Sequence, residues 1–169
     1  PALFKYFFDK PIALDRGLHA ADMYLDVLTK LGVEDLPNDG LKIVPTEAAL
    51  REAEEFYLQN NVARDDKLIG FNIGSASATK RWLPERFAKV ADHVANQGYR
   101  PVFFGSVGEM AMVEETLDSL ETKSYIVATG KLSVGGLVAA MGWIDFLVTN
   151  DSGPIHLSLI LIYRFRRRG

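Results

Sequence analysis

The sequence has no cysteine. That excludes disulfides and thiolate metal sites, and it fits a reducing compartment. It has no signal-peptide pattern at its start and no apolar run approaching the ~20 residues a membrane helix needs. It also lacks an excess of positive charge, since 19 Lys and Arg against 22 Asp and Glu give a net charge of −3. No global basic field is available for nucleic acid. Internal repeats, low-complexity linkers and Asp-x-Asp pairs are absent as well. What is left is the length of one domain of ~100–150 residues plus an appendage, enough to bury a substantial core.

The most informative stretch is Trp143 to His156, WIDFLVTNDSGPIH. Ile144 to Val148 has the apolar, β-favouring pattern of a buried strand. Thr149 to Pro154 is a dense turn cluster. Asp151 and Ser152 suit an N-cap, and Pro154 suits the first turn of a helix continuing over residues 155–162. A strand, a tight turn and a helix place free N–H groups and the positive end of a helix dipole together, which favours an anion such as phosphate. His156 falls in the first helical turn. Taken alone, the stretch also fits an ordinary structural cap.

The N-terminal third reads as helical. Leu3, Phe4, Tyr6, Phe7 and Phe8 cluster without a period. Residues 20–31 form a helix with Tyr24, Leu28 and Leu31 on one stripe and Gly32 at C′. Residues 36–45 are a loop and a short extended piece. Thr46 caps a helix with Ala49, Leu50, Ala53, Phe56 and Tyr57 on its apolar face. From Lys67 the pattern alternates. Strands at 68–73, 101–104 and 125–128 are followed by helices opening at Pro84, Glu109 and Ser133. This alternation implies a parallel α/β sheet with right-handed crossovers, and ligands in such sheets bind outside the carboxyl ends of the strands.

The chemistry gathers at those ends. Ser75, Ser77, Thr79, Lys80 and Arg81 follow the first strand, and Gly105, Ser106, Gly108 and Glu109 the second. Thr129, Gly130, Lys131, Leu132 and Ser133 follow the third, and Asp151, Ser152, Gly153 and His156 the fourth. Cations and helix ends suit a diphosphate, a carboxylate suits ribose hydroxyls, and an apolar residue suits a base. Singly each has a plain structural role. Lys80 and Arg81 can be solvated loop charges, and Glu109 a first-turn acid favoured by the dipole. Their convergence on one edge favours a nucleotide diphosphate site.

The order and spacing of FNIGSASATKRWLPERFAKVA, FFGSVGEMAMVEE, ATGKLSVGGLVAAM and FLVTNDSGPIHL resemble glycosyltransferase family 9, the bacterial heptosyltransferases of lipopolysaccharide core assembly. The resemblance covers roughly residues 68–158, with a looser match at 19–32. It implies a GT-B fold of two Rossmann-like halves, of which this chain is the C-terminal, donor-binding one. Residues 1–66 then read as a mostly helical linker, and 67–169 as an incomplete Rossmann-like nucleotide-sugar-binding domain. Carried over position by position, Ser75 and Lys80 would contact the donor diphosphate, and Glu109 would hold the ribose. Leu132 would lie at the base, and Asp151, Ser152, Gly153 and His156 would surround the diphosphate and sugar. Ala76, where some members carry a hydroxyl residue, removes one phosphate contact.

The implied activity is inverting transfer from a nucleotide sugar, ADP-heptose, with no metal or other cofactor and with Lys80 stabilising the leaving group. The acceptor, a lipopolysaccharide core, and the general base would belong to an N-terminal domain absent here, so the isolated chain is expected to be inactive. A GT-B sugar-nucleotide epimerase and a non-catalytic nucleotide-binding module are the alternatives. The implied location is cytoplasmic, with peripheral contact at the inner face of the bacterial inner membrane as an option beside it. Pro1 in place of an initiator Met suggests a processed piece. The end departs from the family, with LSLILIYRFRRRG in place of a further strand and turn. Its arginines read either as a patch for anionic lipid or as a truncated or frameshifted end, and its apolar run predicts self-association.

Overall fold

A computed structural model describes residues 12–34, 36, 43–75 and 77–157. The aromatic cluster at 3–8, Ala76, and the apolar and arginine-rich run at 158–169 lie outside the described residues. The chain divides into two compact units, Pro1–Lys42 and Ile43–Gly169.

The first unit contains helix α1 (Ala20–Lys30). Its end is set by Gly32, whose φ of 92° is open to glycine at little cost. The Gly32 N–H donates to Thr29 O and the Val33 N–H to Leu28 O, the pair of bonds that closes a Schellman motif. The stripe of Tyr24, Leu28 and Leu31 is exposed.

The second unit is a four-stranded parallel sheet, β1 (Leu68–Asn72), β2 (Arg100–Phe104), β3 (Ile126–Val127) and β4 (Phe146–Thr149), in the order β3-β2-β1-β4. Side chains alternate across the sheet, as the period of a strand requires. Ile69, Phe71 and Phe103 face a core completed by Phe87, Ala88 and Ala91 of α3 (Pro84–Asn96) and Val113 of α4 (Met110–Asp118). Leu68, Val102 and Phe104 face the other core, with Ala53, Phe56 and Tyr57 of α2 (Glu47–Gln59) and Ala139 and Ala140 of α5 (Val134–Met141). Each fully buried large side chain here contributes about 1.5–3 kcal/mol. Gly70 lies on the second face, where an added Cβ would meet Ile144, Leu147 and Phe104 at 2.6–3.0 Å.

Helix α2 falls in the stretch that the sequence suggests is a linker, yet it packs on α5 within the sheet's own unit. Its face is Ala49, Ala53, Phe56 and Tyr57, whereas Leu50, expected on that face, is exposed. The Tyr57 hydroxyl donates to Ala140 O at 3.0 Å, and its ring stacks at 4.7 Å on Trp143. Thr46 caps α2 by accepting from the Ala49 N–H at 3.2 Å. Strand β4 is not the buried strand its composition predicts. Among the described residues it pairs only with β1, and Phe146 stays 45% exposed. Among the described residues, no helix is long and apolar enough to cross a membrane.

Candidate functional site

The strand order fixes where a ligand can enter. From β1 the chain steps outward to β2 and β3, then crosses back to place β4 on the other side of β1. The loops after β1 and β4 therefore diverge, and a crevice opens between them at the carboxyl ends. A cleft of about 330 Å³ occupies that position, lined by Asn72, Ser75, Ser77, Lys80, Glu109 and residues 151–154.

Two buried asparagines hold the walls together. Asn72 ends β1 opposite Thr149, and its amide donates to Ser152 Oγ at 2.9 Å. The Asn150 amide donates to Ile73 O at 2.5 Å, and its carbonyl accepts from the Trp82 N–H at 3.0 Å. The Ser75 hydroxyl completes the stitching by donating to Asp151 O at 3.4 Å. Arg81 is not a free loop charge, since its Nε donates to Ser75 O at 2.8 Å. Buried polar groups satisfied on both sides resist being pulled apart, so the two loops form a preshaped rim.

Lys80 ends a single 3₁₀ turn (Ala78–Lys80) and reaches across the cleft, its Nζ 2.5 Å from Asp151 Oδ2. Both side chains are more than half exposed. The hydrogen bond and charge of Lys80 hold the Asp151 carboxyl below its ordinary range, and His156 lowers it further. A surface pair of this kind is weak and readily exchanged. The cation can thus pass to an incoming anion.

Glu109 arrives from the other side, at the end of a 3₁₀ turn (Val107–Glu109) after β2. Its Oε2 accepts from the Ser106 N–H at 2.7 Å and the Ser106 hydroxyl at 2.8 Å, closing a capping box. The carboxylate lies against Gly74, where any Cβ would overlap it. Gly74 is therefore required by space: its bare backbone admits the acid to the floor of the cleft.

The third strand end is arranged differently. Gly130 turns the chain at φ 69°, and Ser133 caps α5 by accepting from the Gly136 N–H at 2.9 Å. Leu132 packs its partly buried side chain against the α2–α5 core and does not line the cleft. His156 is exposed in the first helical residues after Gly153 and is also outside the lining. Among the described residues, no three His, Asp or Glu side chains gather as a metal site.

The family model for glycosyltransferase family 9 (heptosyltransferase) matches residues 2–161. The chain belongs to glycosyltransferase family 9. It is 30% identical over 156 residues to lipooligosaccharide heptosyltransferase 2 of Haemophilus influenzae, covering 89% of this chain and 44% of that protein. A crystal structure of a family 9 glycosyl transferase from Veillonella parvula superposes with a TM-score of 0.83 at 48% identity, over 95% of this chain and 46% of that one. The structure of Escherichia coli ADP-heptose LPS heptosyltransferase II gives 0.64 at 27% identity, over 76% and 40%. The chain thus spans less than half the length of these relatives, and these structures share its α/β fold, GT-B in the heptosyltransferases.

Of the residues singled out on this family member's sequence, the fold brings Ser75, Lys80, Glu109, Asp151, Ser152 and Gly153 to one cleft, and leaves Leu132 and His156 outside its wall. Sequence reasoning passes over Asn72. The available signal is an asparagine closing an otherwise apolar strand, LIGFN, a position that needs a polar partner once buried. Asn150 lies within the turn cluster, but its bonds to Ile73 and Trp82 join positions 77 and 68 residues apart. Local pattern carries no trace of such partners.

Proposed function

We propose that this chain binds the donor nucleotide sugar of a heptosyl transfer in lipopolysaccharide core assembly, and that the donor is ADP-heptose. The observation that carries the reading is the cleft at the β1/β4 switch point, with Lys80 on one wall, Glu109 at the floor and the Ser152–Gly153 turn on the other wall. The relatives support it by name: heptosyltransferase 2 enzymes of lipooligosaccharide and lipopolysaccharide, and an ADP-heptose LPS heptosyltransferase.

On this reading the diphosphate takes Lys80 from Asp151 and meets Ser75 and the turn at Ser152 and Gly153. The Glu109 carboxylate has a lone-pair side free of Ser106 and accepts from ribose hydroxyls. An acceptor hydroxyl attacks the anomeric carbon in line. The new C–O bond forms as the bond to the diphosphate breaks, and the configuration inverts. Negative charge grows on the departing ADP, where Lys80, once released from Asp151, and the Ser152–Gly153 turn offset it, an electrostatic role. The acceptor's proton goes to a base that is not among these cleft residues.

Calorimetry with ADP tests the reading. The wild type should bind, and Lys80→Ala should weaken binding by about 1–3 kcal/mol, the range for losing a charge-assisted hydrogen bond. Equal affinity in both would remove Lys80 from the site.

A further inference from the structure

The floor of the cleft, around Gly74, presents acceptors rather than donors. Asn72 closes β1 and is 2% exposed. Its side-chain nitrogen lies 2.9 Å from Ser152 Oγ, 3.3 Å from Gly74 O and 3.4 Å from Thr149 Oγ1. All three can only accept from it. Gly74 O is a carbonyl oxygen. The Ser152 hydroxyl donates to Asn150 O at 3.3 Å and the Thr149 hydroxyl to the same oxygen at 2.7 Å, so neither has a proton left for Asn72. The amide is therefore fixed in one orientation, because the reverse would set its oxygen against three acceptors.

The side-chain oxygen of Asn72 is left over. It has no hydrogen-bond partner among the described residues. It is not sealed in the core either, since the buried side-chain polar atom without a partner there is Arg100 Nε. It opens on the cleft that Asn72 lines. Glu109 is in the same position. Both Ser106 bonds go to Oε2, and Oε1 lies against Gly74 without a partner. Two unpaired oxygens thus adjoin one bare glycine. A ligand that covers them without donating to them pays their lost hydration in full. Whatever sits here must bring two donors, which suits hydroxyl groups and not phosphate oxygens.

We propose that Asn72 is a specificity-determining residue of the cleft, its side-chain oxygen accepting from one ribose hydroxyl of the nucleoside diphosphate while Glu109 Oε1 accepts from the other. The inference rests on the donor-binding reading above, in which the diphosphate lies at Lys80. On the nucleoside side, the ribose is the hydroxyl-bearing group joined directly to that diphosphate. Its two hydroxyls are on adjacent carbons, and the two acceptors adjoin the same glycine. Asn72 holds the Ser152 turn through its nitrogen and reads the ligand through its oxygen, so the first set of bonds aims the second. A ribose lacking either hydroxyl leaves one oxygen covered and unpaired. The cleft should therefore select ribonucleotides over deoxyribonucleotides.

Calorimetry with ADP, 2′-deoxy-ADP and 3′-deoxy-ADP, on the wild type, Asn72→Ala and Glu109→Ala, decides it. The wild type should bind each deoxy analogue about five- to tenfold more weakly than ADP, the effect of one unmade hydrogen bond. Asn72→Ala should lose its discrimination against one analogue, to within about twofold, and Glu109→Ala against the other. Loss of the Ser152 bond alone would weaken all three ligands by a common factor and leave the ratios untouched, so the ratios separate the oxygen's role from the nitrogen's. If Asn72→Ala does not fold, the side-chain amide resonance of Asn72 in the wild type gives the answer. It should move with ADP and one analogue and stay near its free position with the other. Unchanged ratios in Asn72→Ala, or a wild type that binds ADP and both analogues alike, would overturn the inference and leave ADP in the cleft. A wild type that does not bind ADP would overturn the donor-binding reading itself, and the inference with it.

Discussion

Lys80 and Asp151, 71 residues apart in sequence, share a hydrogen bond across the mouth of the cleft, with Nζ 2.5 Å from Oδ2. The acid that holds the lysine also opposes any anion that approaches it. Asp151→Asn should free Lys80 and remove one negative charge from the rim. ADP should then bind a few-fold tighter, a scale set by the weakness of exposed ion pairs, and the gain should shrink at high salt. Titrations of both proteins at two ionic strengths check this. Weaker ADP binding by the variant would show that Asp151 attracts the nucleotide through its neighbours rather than opposing it.

Gly74→Ala tests the floor. A methyl group there displaces the Glu109 carboxylate and with it the capping box at Ser106. Thermal unfolding should register the lost cap as about 0.5–2 kcal/mol. ADP affinity should fall while pyrophosphate affinity holds, since Glu109 is assigned to the ribose. Equal weakening of both ligands would place Glu109 elsewhere.

Glu52 makes stability depend on pH in a predictable direction. Its folded-state pKa is lowered, first by the Ser133 hydroxyl and then by the Ser133 N–H. The stabilisation is present above the ordinary carboxylate range and is lost as pH falls through the lower folded value. Wild type should be more stable than Glu52→Gln at neutral pH, with the gap closing in acid. A gap that persists at low pH would point to packing rather than ionisation.

Tyr57 gives the opposite sign. Burial raises its phenol above the ordinary value of 10.0. The folded state favours the neutral form, so this contribution is intact below about pH 10 and lost as pH rises further. Tyr57→Phe removes the bond to Ala140 O and should cost about 0.5–1.5 kcal/mol at neutral pH. It should also flatten the alkaline limb of a stability-against-pH curve. A variant with the wild-type alkaline fall would assign that limb to another group.

Local chemistry is what the sequence exposes well. Gly98 at φ 83°, Thr46 and Ser133 as N-caps, and Pro84 at the start of α3 all act where their residue types predict. The alternation of strands and helices gives the parallel sheet, and with it the edge that carries Ser75, Lys80, Glu109 and Asp151. Sheet order is less accessible. Ile144 to Val148 reads as buried because its residues are apolar, yet exposure depends on which neighbours flank the strand, and β4 has β1 alone among the described residues. The Asn72–Ser152, Asn150–Ile73 and Glu52–Ser133 bonds join positions 77–81 residues apart, and no period or spacing announces them. Leu132 shows the same limit: its side chain is drawn to the α2–α5 core because α2 packs there, a contact that a linker reading of α2 does not anticipate.

The central claim is that a nucleoside diphosphate sits in the crevice between the loops after β1 and β4. Mapping backbone amide shifts during titration with ADP tests it most directly. The account predicts perturbations concentrated in residues 72–80, 105–109 and 150–154, saturating together with one affinity. Perturbations centred instead on the groove of Lys67, Tyr99 and Arg100, or no saturable change anywhere, would contradict it.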